Sequence, residues 1–205
     1  MIKNALELAL ANVWPMLTIF CVIIITIRIA YLKVNRRDFI PHQEITSLIF
    51  IVYILLLFEL LTGTENSIYG QNLVPFTEIF RYEIKSELFY YNVLGNIILF
   101  LPFGYFVSNY IGAKKIRTIF IITTVISLTI EAVQSRIGRA FDIDDVILNV
   151  AGALLGFLIH KLLTMVKRHL PRFLQKDYIY DILAIMVLVV ICYYFYQIIG
   201  FGWLS

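Results

Sequence analysis

Apolar residues in this chain do not alternate with polar ones. They run in six long blocks separated by short charged connections, roughly 10–31, 45–62, 88–110, 116–135, 144–163 and 180–201. A helix needs about 20 apolar residues to cross a hydrocarbon core about 30 Å thick, so the blocks predict membrane-spanning helices. The first, third and sixth reach that length easily; no charge falls between Leu88 and Ala113, or between Ile182 and Ser205. The second, fourth and fifth are shorter between charges, and each ends on a carboxylate: Glu59, Glu131 and Asp145. The first block shows no small-residue cleavage site and is expected to be retained as a span. The expected fold class is all-α: a polytopic transmembrane helical bundle of about six spans, forming a single membrane domain over residues 1–205.

Composition narrows the picture. The 205 residues are 60% hydrophobic and 15% charged, against roughly half and a quarter in soluble domains. A soluble domain could not hide so much apolar surface. The net charge of +3 is small and scattered, which argues against a nucleic-acid partner. Cys21 and Cys192 sit within apolar runs and read as small core residues rather than a disulfide or metal frame. Basic residues give an orientation. Lys33, Arg36, Arg37, Lys114, Lys115, Arg117, Lys161, Lys167, Arg168, Arg172 and Lys176 fall on one side of the predicted spans. The other side holds Lys3, Arg81, Lys85, Arg136 and Arg139. The richer side is expected to be cytoplasmic, with both termini outside. Arg28, near the inner end of the first block, is expected to snorkel to the interface without a special role.

Against this background residues 131–149, EAVQSRIGRAFDIDDVILN, gather Glu131, Asp142, Asp144 and Asp145 with Arg136 and Arg139. Carboxylates inside a span are costly and normally face the protein interior with a partner. Asp142, Asp145, Asn149, Gly152 and Gly156 step by three and four, which places them on one stripe of a helix beginning near residue 142. Gly152 and Gly156 form a small-xxx-small pair that would admit another helix closely. Glu131 and Gln134 share a face of the fourth span, and Asn92 and Asn96 share one of the third. An N-V-x-G segment recurs at Asn92–Gly95 and Asn149–Gly152, a weak internal echo.

Together these residues suggest an outward-opening polar pocket. Glu131 and Asp145 are the candidate catalytic pair, and Asn92, Asn96, Gln134, Arg139, Asp142 and Asn149 the candidate ligand-binding set. Plainer roles stand beside these: Asp142 and Asp144 as helix caps, the asparagines as interhelical hydrogen-bond links, and Glu131 with Arg139 as a structural ion pair. His42, His160 and His169 all map to the cytoplasmic side, so the pocket has no imidazole and no zinc set. No cofactor or metal is expected.

Three blocks carry a resemblance. They are NLVPF at residues 72–76, NVLGNIILFLPFG at residues 92–104, and E-x-x-Q-x-x-x-x-R-x-F-D-I-D-D-x-x-x-N-x-x-G-x-x-x-G from Glu131 to Gly156. With them the chain resembles the VanZ-like membrane proteins, a family named after a teicoplanin-resistance determinant of Gram-positive bacteria. The motif core covers residues 72–156, and the recurring polar positions carry over to Asn96, Glu131, Gln134, Arg139, Asp145 and Asn149. The resemblance implies a multi-pass protein of the bacterial plasma membrane that lowers susceptibility to teicoplanin-type lipoglycopeptides. Membrane lipids, a lipid-linked wall precursor or the drug are the expected partners. Two alternatives stay open: an enzyme modifying a lipid-linked glycan or phospholipid headgroup, and a proton- or cation-coupled carrier.

Overall fold

The computed structural model describes residues 2–62, 71–83 and 86–202. It is all-α except for one minimal strand pair. The helices are α1 (Ile2–Val34), α2 (Pro41–Thr62), the short α3 (Thr77–Arg81), α4 (Glu87–Ile111), α5 (Ile116–Arg136), α6 (Ile143–His169) and α7 (Asp177–Gly202). Strands β1 (Gln71–Asn72) and β2 (Phe141–Asp142) pair in parallel. Among the described residues five helices are long and apolar enough to cross a membrane: Val13–Val34 of α1, Pro41–Leu61, Glu87–Ile111, Ile116–Arg136 and Ile143–His169. The sixth predicted block is α7, whose 26 residues would extend about 39 Å. The connection expected between Gly63 and Glu87 lies partly outside the described residues.

The blocks that looked short are longer as helices. The 21 residues of α5 and 27 of α6 continue through the charges that bound their apolar runs. Glu131 therefore lies inside α5, about five residues from its end, and Asp145 in the first turn of α6.

Two compact units emerge, one over residues 61–167 with 1–2, the other over residues 3–60 and 168–205. In the second, Val13 and Leu17 of α1 pack on Leu55 and Leu56 of α2. Arg28 is not left to snorkel alone. Its Nε and Nη2 donate to the Glu44 carboxylate at 2.7 and 2.9 Å, a bidentate pair suited to the guanidinium fork. The His42 N–H donates to Asp181 Oδ1 at 2.9 Å, with the ring Nδ1 at the same distance. The described surfaces of α1 and α7 expose isoleucine, valine and leucine almost throughout, as helices surrounded by lipid do.

The first unit contains α3 to α6 and the strand pair. Its core is Phe100, Phe103, Ile119, Ala153 and Phe157. The partner of the small-residue pair on α6 is α4. A Cβ added at Gly152 would fall on the Ile97 carbonyl, one at Gly156 on the Leu101 carbonyl, and one at Gly104 on the Ala153 carbonyl. Only glycine lets the two backbones meet this way. Ile97 meets residue 152, Leu101 meets 156, and the Tyr105 ring lies 5.7 Å from that of His160. Positions rise together on both helices, so α4 and α6 run parallel.

Candidate functional site

The site is built where α4, α5 and α6 meet the irregular segments on either side of them. Residues 90–94 form a π-turn within α4, a local widening that often marks functional positions. Asn92 lies in that turn, and its amide donates to the Leu88 carbonyl at 3.1 Å. One turn further, the Asn96 amide donates to Asp145 Oδ1, joining α4 to the first turn of α6.

On α5, Thr123, Ser127, Glu131 and Gln134 are all buried and share one face. Glu131, 2% exposed, accepts the Asp142 backbone N–H through Oε2 at 3.0 Å. Deeper, Asn149 of α6 donates to Ser127 Oγ at 2.9 Å. The Asn149 Oδ1 and Thr123 Oγ1 atoms have no partner among the described residues. Gly138, at φ 94°, makes the turn that leaves α5, and the Arg139 N–H then closes on the Gln134 carbonyl at 3.0 Å.

Two expectations need correction. Asp142 was placed on the helical stripe, but it stands one residue before α6, in β2. Its Oδ1 accepts the Asp144 N–H and the Asn72 amide, both at 2.9 Å. It is the cap of α6, and the stripe proper is Asp145, Asn149, Gly152 and Gly156. Burial holds the Asp142 carboxyl above its ordinary range, against the opposing effect of those hydrogen bonds. Asp144 was read as a cap of the same helix. It is 1% exposed and caps a different one: Phe76 and Glu78 donate their N–H groups to its two oxygens, and Ile79 adds a third at 3.2 Å. Those donors start α3, which Phe76 enters at φ 69°, so the carboxylate meets the positive end of that helix. The NLVPF and FDIDD blocks are thus docked by the β1–β2 pairing, the Asn72–Asp142 bond and the Asp144 clamp.

Arg139 does not form an ion pair with Glu131 among the described residues. Its Nη1 donates to the Leu61 carbonyl at 3.0 Å, and Gln134 donates to the same oxygen at 2.7 Å. That carbonyl belongs to the last turn of α2, where a helix leaves its carbonyls to be met by other groups. Arg139 remains within Coulombic reach of both Glu131 and Asp145, and the Asp145 charge reaches Glu131. The two carboxylates are brought together, not placed on opposite sides.

A cavity of about 80 Å³ opens among Glu78, Tyr82, Asn92, Asp142, Asp144 and Asp145. Among the described residues no lysine or arginine lines it. Of the predicted set, Asn92, Asp142 and Asp145 reach the cavity, while Glu131, Asn96, Gln134, Arg139 and Asn149 do not line it. Glu78 and Tyr82 escaped sequence reasoning because α3 is too short to show periodicity. The Glu78 carboxylate is held by Arg81 Nη1 at 2.9 Å and by the Tyr82 hydroxyl at 3.3 Å. The Tyr82 hydroxyl in turn is held above its usual range, first by burial and then by the Glu78 charge. At roughly 30 Å³ per water, the cavity holds about three waters or one small polar group.

Apolar helices long enough to span a membrane, with a polar cluster where three of them meet short connecting segments, define a multi-pass helical membrane protein. The VanZ/LLP1 family model matches residues 45–164, more than half of the chain and all three motif blocks. The chain belongs to that family. None of the curated proteins and none of the solved structures compared with it matches.

Proposed function

We propose that this VanZ/LLP1 protein is a non-catalytic factor of a bacterial plasma membrane whose acidic cavity captures a protruding ammonium group. The carrier of that group is a phospholipid headgroup, a lipid-linked wall precursor or a lipid-tailed glycopeptide, and its capture lowers susceptibility to teicoplanin-type drugs. One observation carries the reading: among the described residues every charged group lining the cavity is a carboxylate, and the cavity measures about 80 Å³. Sites that enclose a whole small molecule run to about 300–1,000 Å³. An ammonium group fits, and a hexose or a whole headgroup does not.

The enzyme alternative gains nothing from Arg139, whose guanidinium is engaged at Leu61. The acid–base pair is likewise weakened, because Asp145 lines the cavity and Glu131 does not. A carrier would need the buried polar row to continue inward. Below Thr123 the same face of α5 presents Ile119, which is fully buried, and the row stops there.

The test is drug protection in a susceptible Gram-positive host, scored with lipid extracts from the same cells. Asp145→Asn places an amide where the ammonium would sit, and protection should fall while protein level and lipid profile stay unchanged. Full protection in that variant overturns the reading, and a protein-dependent lipid product makes the enzyme reading correct. The proposed orientation, with both termini outside, has its own check in a variant lacking Cys21 and Cys192. A cysteine at Leu73 should react with an impermeant reagent on intact cells and one at Asn35 should not; the reverse pattern inverts the topology.

A further inference from the structure

A second site of opposite charge lies at the end of α1, within the other unit and independent of the acidic cavity. An open cleft of about 450 Å³ is lined there by Ile29, Leu32, Lys33, Arg36, Arg37 and Phe39. Asp38 also borders it; three cations against one carboxylate leave a local charge of +2. Lys33, Arg36 and Arg37 form no ion pair among the described residues, in contrast to Arg28, which Glu44 clamps.

The backbone explains how the cations converge. The Arg37 N–H donates to the Leu32 carbonyl at 3.0 Å and the Arg36 N–H to the Lys33 carbonyl at 3.4 Å. This is a Schellman ending, and Arg36 occupies its left-handed position at φ 49°. Glycine is the usual residue at that position because it alone bears the conformation without strain. An arginine there bends the chain and still contributes a guanidinium to the cleft.

The level of the cleft also matters. It begins where the apolar span Val13–Val34 ends, at the depth of lipid headgroups. Ile29 and Phe39 are 55% and 60% exposed and offer the cleft an apolar flank on the hydrocarbon side. Basic residues just outside a span attract anionic lipid, and guanidinium groups match phosphate oxygens in pairs. We propose that this cleft binds an anionic phospholipid, its phosphate held by Lys33, Arg36 and Arg37 and its acyl chain lying along Ile29 and Phe39.

The experiment is native mass spectrometry of the full chain, released from vesicles with equal parts of phosphatidylglycerol and phosphatidylcholine. The wild type should retain phosphatidylglycerol preferentially. Arg36→Gly removes the guanidinium and relieves the left-handed strain, so it should melt no lower than the wild type while losing about fivefold in retained lipid. Adding Lys33→Ala and Arg37→Ala should abolish the preference, and Lys114→Ala with Lys115→Ala and Arg117→Ala should leave it intact. Equal retention of both lipids, or unchanged retention in the triple variant, overturns the proposal. Complete displacement of the lipid by inorganic phosphate also overturns it, by making the site one for a free anion.

Discussion

Removing the Asp144 carboxylate should release the NLVPF segment without unseating the helices around it. In Asp144→Ala the N–H groups of Phe76, Glu78 and Ile79 lose their acceptor at one stroke. A hydrogen bond to a charged group contributes about 1.5–3 kcal/mol net, so three would sum to roughly 5–9 kcal/mol if additive. They are not additive. Phe76 is half exposed and its amide can turn to water, and the strand pair and the Asn72–Asp142 bond still tether the segment. A net loss of about 3 kcal/mol is the working figure, which converts to roughly a hundredfold. The assay is hydrogen exchange of the peptide covering residues 73–81 in the detergent-solubilised chain. Exchange at Glu78 and Ile79 should accelerate by about that factor, while α4 and α6, locked through their glycines, keep wild-type protection. Asp144→Asn retains one acceptor oxygen and should fall between. Unchanged exchange in Asp144→Ala, or equal loss across α4 and α6, would refute this division of labour. Because α3 and its C-cap bring Glu78 and Tyr82 to the cavity, the proposed function requires drug protection to vanish in the same variant.

Gly152→Ala should lower the melting temperature, since its Cβ meets the Ile97 backbone and overpacking of this kind costs about 1–3 kcal/mol. Gly95→Ala is the matched control: its nearest neighbour would be the Tyr90 carbonyl at 3.8 Å, so helix propensity should make it neutral to stabilising. Asp142→Asn keeps the single oxygen that accepts from both Asn72 and Asp144. Burial raises the pKa of the folded Asp142 carboxyl above its ordinary value of 3.8, so the folded state holds its proton more tightly than the unfolded chain. Its charge therefore destabilises the fold above the raised value, and that penalty disappears as pH falls toward 3.8. The Asn variant should melt higher than wild type at neutral pH, with the gap closing in acid; a constant gap would refute the titration argument.

How much of this was legible in the sequence follows from which forces act locally. The helices were, because an apolar run that long has no other solution in a membrane. The stripe Asp145, Asn149, Gly152 and Gly156 was too, because spacing by three and four fixes a helix face. Period set Asp142 on that stripe one residue too far in, and its other expected role, as a cap of the helix, is the one it fills. The π-turn at Tyr90–Leu94 has no compositional signal. Nor does a parallel pairing only two residues long, yet that pairing, with the Asp144 clamp, docks the segment that leads into α3, which carries Glu78 and Tyr82. Arg139 was assigned to the carboxylates by sequence proximity; the carbonyl that captures it is 78 positions away.

The concentration of charge in residues 131–149 has a physical explanation that also separates its members. Irregular backbone close to a membrane has little water to satisfy its N–H groups and must find acceptors within the protein. Here the acceptors are carboxylates. Glu131 takes the Asp142 N–H, Asp142 takes that of Asp144, and Asp144 takes those of Phe76, Glu78 and Ile79. These three acids stand in for solvent around the two connections that frame the cavity. Asp145 differs. Among the described residues its one hydrogen bond comes from the Asn96 side chain, and it faces the cavity. An acid that supports no backbone is free to meet a ligand. Substitution that removes the acceptor should therefore split the cluster: Glu131→Ala, Asp142→Ala and Asp144→Ala should lower the melting temperature, whereas Asp145→Asn should cost drug protection at nearly unchanged stability.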